Sequence, residues 1–107
     1  MTSKKLTSKI IIEKIEKEKK ELKEKGVTKI GLFGSYAKNK QKQKSDIDFL
    51  VEFNEISADN FFGVLFFLER LFRRKVDIVE INSLRKELNY VKKGAKYVKI
   101  WTLFKWY

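Results

Sequence analysis

Apolar residues recur at helical spacing early in the chain, at Ile11, Ile12, Ile15 and Leu22. Thr7 or Ser8 can cap that stretch and Gly26 can close it, which predicts a helix over 7–25. The period then changes. "VTKIGLF" (27–33) is β-branched and apolar, the pattern of a buried strand, and Gly34-Ser35 breaks it before "YAKN" makes one short helical turn. In "DIDFLVEF" (46–53), Ile47, Phe49, Val51 and Phe53 point one way and Asp46, Asp48, Leu50 and Glu52 the other. Residues 58–74 form a long apolar helix, with Asp59 near its start and Arg73 and Arg74 at its end, as the helix dipole favours. "VDIVEI" (76–81) reads as a strand, 82–94 as a helix opened by Asn82 and Ser83, and "AKYVKIW" (95–101) as a last strand. The tail "TLFKWY" is aromatic and fits no element, and "KNKQKQK" (38–44) is a polar loop.

The order α β β α β α β predicts an α/β or α+β fold, one mixed sheet of about four strands with helices packed on it. A chain of 107 residues fits a single domain over 1–107. With 43% apolar and 36% charged residues it has the makings of a core under a charged surface. Nine Phe and two Trp imply an aromatic-rich core or a surface covered by a partner.

The formal net charge of +11 attracts polyanions without choosing among nucleotides, nucleic acids and acidic proteins. The chain has neither Cys nor His. Disulfides, thiolate and imidazole metal sites and His-based catalysis are thereby excluded, and a cytoplasmic setting is expected. Any metal needs hard oxygen ligands, which points to Mg²⁺, with Mn²⁺ as a substitute. The longest apolar run, "FFGVLFFL" (61–68), is too short to span a bilayer, and Glu13 cuts off the apolar part of the N-terminus too soon for a signal peptide.

Asp46 and Asp48 stand two apart in an otherwise apolar stretch, so on a strand they share a face and repel each other. A divalent cation relieves that repulsion, and such carboxylate pairs hold Mg²⁺ together with substrate phosphates. Asp77, at the start of the strand after the long helix, is the candidate third ligand for a two-ion site. The plainer reading of D-x-D is an acidic pair on an exposed strand. Gly34-Ser35 after a strand suits the close approach of a phosphate, although a plain turn has the same sequence. It is no P-loop: Gly26 and Gly31 have the spacing, but Leu32 stands where Lys is required.

Taken together, "FGSYA", a polar loop, "SDIDFLV" and a distant "VDIV" resemble the minimal nucleotidyltransferases, small relatives of the polymerase-beta palm. The family pattern is Gly-Ser-aromatic-Ala-Arg-Gly, a short loop, then Ser-Asp-x-Asp. Lys38 replaces the Arg and loses its planar fork; Asn39 replaces the Gly but tolerates a left-handed backbone. The resemblance implies a polymerase-beta palm-like fold and transfer of a nucleoside monophosphate from an NTP. It assigns Gly34, Ser35, Lys38 and Ser45 to the nucleotide. Asp46, Asp48 and Asp77 would bind two Mg²⁺ ions, with Asp77 also taking the proton of the attacking hydroxyl. It further implies an antitoxin that adds AMP from ATP to a tyrosine of a HEPN-domain ribonuclease toxin.

Two other functions fit the residues less well. A nucleic-acid-binding module would use the lysines of 38–44 and Lys92, Lys93, Lys96, Lys99 and Lys105, but no helix-turn-helix, RNP or zinc motif is present and a solvated basic surface accounts for them. An inactive antitoxin acting by binding alone would not need to keep all three aspartates.

Overall fold

In the computed structural model, residues 6–42, 45–83 and 93–100 are described here. Thr7 caps the first helix, α1 (Ser8–Lys17), its hydroxyl accepting from the Ile10 amide at 3.3 Å. Ile11 and Ile15, one turn apart, are fully buried. The helix expected over 7–25 is in fact two: α1 ends at Glu18 and α2 runs Lys19–Glu24. No Gly or Pro marks the break; it falls where the apolar repeat lapses, between Ile15 and Leu22, leaving Glu18 and Lys19 with no buried side chain to hold the turn.

The strand β1 (Val27–Phe33) leads straight into a four-residue helix, α3 (Gly34–Ala37). Then come β2 (Ile47–Phe53), α4 (Ala58–Phe72), β3 (Val76–Glu80), a 3-10 turn over Ile81–Ser83, and β4 (Lys96–Lys99). Ser57 caps α4, accepting from the Asn60 amide at 3.1 Å, and Arg73 ends it in a left-handed conformation, two residues before the expected stop. The strands form one mixed sheet in the order β3-β2-β1-β4. β1 is antiparallel to β2 and to β4, and β2 is parallel to β3, the crossover being made by α4. Ile81, expected to end the third strand, instead opens the 3-10 turn Ile81–Ser83; of the helix expected over 82–94, Asn82 and Ser83 lie in that turn and 93–94 are helical, while 84–92, like the tail after Ile100, lie outside the described residues.

The main core lies on one face of the sheet. Ile30 and Leu32 of β1 and Phe49 and Val51 of β2 meet Ile11 and Ile15 of α1, Leu22 of α2, and Val64 and Leu68 of α4. The Phe49 ring stacks on Phe72 at 6.0 Å. The other face is not bare: Leu50 and Ile81 are buried there, apart from the main cluster. β2 is therefore a central strand covered on both sides along part of its length, with Leu50 buried between its two polar residues, Asp48 and Glu52, on the second face.

Candidate active site

β2 and β3 run parallel with Asp48 directly opposite Asp77. In-register neighbours on adjacent strands share a face, with backbones roughly 4.8 Å apart, so the two carboxylates stand side by side on the face away from the main core. Asp46 precedes β2 instead of lying within it, so the expected same-face argument ends at the strand's first residue. It still acts on the site. The Asp48 carboxyl is pushed up from 3.8 to about 6 by burial first, then by the charges of Asp77 and Asp46. Asp46 and Asp48 are half-buried and Asp77 is exposed.

The opposite flank of Asp48 is Phe33, the last residue of β1, and beyond it Gly34. Gly34 has φ +76, and a Cβ there would collide with the Asp48 carboxylate. Only glycine satisfies both conditions, so the turn into α3 is folded around the Asp48 side chain. Its side-chain requirement could not be read from the Gly-Ser pair alone. The N-cap of α3 is Phe33, whose side chain makes no hydrogen bond to the first amides of the helix. Tyr36 and Ala37 anchor the short helix in the core, while Ser35 is half-buried and Lys38 exposed at its end.

Asn39 follows with φ 55, so it takes the left-handed conformation open to Asn. Its Oδ1 accepts from the Ser8 hydroxyl at 3.3 Å, and that hydroxyl accepts from Lys96 Nζ at 3.2 Å. This chain of bonds ties the turn after α3 to α1 and to β4. The signal for it was faint: of the adjacent Thr7 and Ser8 only one can cap α1, and Thr7 does, which leaves Ser8 for another task. Ser45, expected at the nucleotide, has its hydroxyl accepting from the Lys42 amide at 2.7 Å, while its own amide bonds the Lys42 carbonyl at 3.0 Å; it closes the polar loop.

The donor set at this edge suits a hard cation: carboxylates, one of them half-buried and crowded by like charge. Among the described residues, no three acidic side chains close into a finished metal cage. The arrangement fits a divalent ion held partly by protein carboxylates and partly by a ligand's phosphate oxygens. The site thus joins a carboxylate pair on adjacent parallel strands to the glycine turn that opens α3.

Comparison with known proteins places the chain further. Residues 12–102 match the nucleotidyltransferase domain family, and the chain belongs to it. It is 46% identical over 69 residues to the protein adenylyltransferase MntA of Thermococcus cleftensis, covering 63% of this chain and 70% of that protein. Among solved structures, one whose assignment as a minimal nucleotidyltransferase is provisional superposes with a TM-score of 0.75 at 25% identity, over 87% of this chain and 97% of the other. A chain from the complex of tri-AMPylated Shewanella oneidensis HEPN toxin with MNT antitoxin has the same fold, with a TM-score of 0.57 at 22% identity over 84% of this chain and 71% of that one. The protein is thus a minimal nucleotidyltransferase, and an enzyme by class.

Proposed function

We propose that the chain transfers AMP from ATP to a tyrosine of a HEPN-type ribonuclease toxin and so acts in the cytoplasm as the toxin's antitoxin. The observation that carries the reading is the in-register pair Asp48 and Asp77, with Gly34 folded against Asp48. The adenylyltransferase name of the Thermococcus cleftensis relative and the fold shared with a HEPN–MNT complex support the nucleotide and the partner.

The tyrosine oxygen attacks the α-phosphorus of ATP, the bond from that phosphorus to the β-phosphate oxygen breaks, and pyrophosphate leaves. A phenol of pKa ~10 attacks poorly unless its proton is removed. Asp77, exposed at the sheet edge beside Asp48, receives that proton. Asp46, Asp48 and Asp77 would hold Mg²⁺, which when bound neutralises the triphosphate and the charge that develops on the leaving group. Gly34 and Ser35 present backbone amides and a hydroxyl to the phosphates, Ser45 borders them from the loop, and Lys38 adds charge. The described residues include no helix long and apolar enough to cross a membrane.

The test is mass spectrometry of a HEPN-type partner incubated with the protein, ATP and Mg²⁺. The expected result is a tyrosine carrying AMP, absent with Asp48→Asn or Asp77→Asn. A partner left unmodified by all four nucleoside triphosphates overturns the transfer; if it is still inhibited, binding alone is the mechanism.

A further inference from the structure

The outward face of α4 takes no part in the site, which lies on the other side of the sheet. Phe62 and Phe66 are 49% and 59% exposed there, with their rings stacked at 6.1 Å. Asp59 and Arg70 are exposed along the same stripe, because 59, 62, 66 and 70 follow three- and four-residue steps, and Arg73, the left-handed residue that ends the helix, is exposed just beyond it. Gly63 lies at its margin, and a Cβ at that position would meet nothing within 4 Å. A glycine inside a helix weakens it relative to alanine, and no crowding within the described residues requires one here.

We propose that this face of α4 binds the same face of a second copy of the chain, antiparallel about a two-fold axis. The charge order of the stripe carries the inference. It is acidic at one end, at Asp59, and basic at the other, at Arg70, with the aromatic pair between. Turned about an axis between Val64 and Leu65, the stripe meets itself with opposite charges facing. Asp59 of each copy falls opposite Arg70 of the other. Phe66 falls opposite the bare backbone of Gly63, which lets the helices approach closely and seats the ring. Asp59 and Arg70 form no ion pair with each other or with any other described residue, so both charges are available to a partner. A single helix pair covers less than the ~1,600 Å² of a standard interface, so the dimer is reversible.

Sedimentation equilibrium of the full chain over a range of concentrations tests this. Wild type should rise from monomer to dimer mass. Asp59→Arg and Arg70→Asp should each weaken association by at least about ten-fold, since each sets like charges together twice. Mixing the two variants should restore it, because each charge then again faces its opposite. Phe62→Ser with Phe66→Ser should abolish it, and circular dichroism reports whether each variant stays folded. A wild type that is monomeric throughout overturns the proposal, as do charge variants that dimerise like wild type. So does a monomeric chain whose HEPN-type partner is lost in the Phe62→Ser, Phe66→Ser variant, which assigns the face to that partner.

Discussion

Asp77 stands on the rung of the sheet directly beside Asp48, one on an edge strand and one on a central strand. On the proposed mechanism the difference in position divides their tasks. Asp48 is half-buried between Gly34 and Asp77, placed to hold and orient. Asp77 is exposed at the rim, where an incoming hydroxyl can reach it.

On the proposed mechanism, Asp77→Asn keeps the shape, removes the proton acceptor and weakens one of the carboxylates that would hold Mg²⁺. AMP transfer should fall roughly a hundred- to ten-thousand-fold, the usual worth of a general base. Binding of ATP should change far less. Single-turnover rates set beside calorimetric nucleotide titrations separate the two; an equal loss in both would make Asp77 a binding residue only.

The raised Asp48 carboxyl sets a pH dependence. Its folded-state value of about 6 exceeds its ordinary 3.8, so between those values the folded chain holds a proton that the unfolded chain has released. Without metal, stability therefore falls as pH rises through this window, and the deficit is complete above about pH 6. Asp48→Asn should flatten that decline and raise the melting temperature near neutral pH. Mg²⁺ should raise the wild-type melting temperature more at about pH 7 than at about pH 4, where the proton already occupies the carboxylate. Thermal melts across pH, with and without Mg²⁺, show both effects.

Gly34→Ala tests the turn that wraps Asp48. Alanine in the left-handed region costs about 1–2 kcal/mol, and its Cβ would also displace the Asp48 carboxylate. The variant should melt lower and lose Mg²⁺-dependent nucleotide binding together. Retained binding in a destabilised protein would show that the carboxylate has room to move.

How far the site was legible in the chain follows from sequence distance. Gly34-Ser35 and Asp46/Asp48 lie within one short stretch, so spacing and residue type alone drew them together. Asp77 could be placed on the next strand, but the rung it occupies depends on how α4 seats β3 against β2, through contacts such as the Phe72 ring on Phe49. Alternation put Leu50 on the carboxylate face, yet nothing local showed that it is fully buried there while Asp48 and Glu52, on the same face of β2, are only half-buried. The break at Glu18 and the bond from Ser8 to Asn39 escaped for the same reason: each is decided by tertiary packing, not by local propensity.

Asn39 stands where the family pattern has Gly, and two effects are combined in it: a left-handed backbone and an accepted bond from Ser8. Substitutions separate them. Asn39→Gly keeps the backbone and loses only the bond, a net cost of about 0.5–1.5 kcal/mol. Asn39→Ala loses the bond and adds the strain of a positive φ, about 1–2 kcal/mol more. Denaturant unfolding should rank wild type above Gly and Gly above Ala. Ser8→Ala should fall near Asn39→Gly, because it cuts the same link and leaves Lys96 without that acceptor. If the link positions the turn carrying Lys38, both Ser8→Ala and Asn39→Gly raise the KM for ATP while kcat changes little, since charge on the bound phosphates is lost and the carboxylates are not. A Gly variant as stable as wild type, with an unchanged KM, would reduce Asn39 to a residue that tolerates its backbone and nothing more.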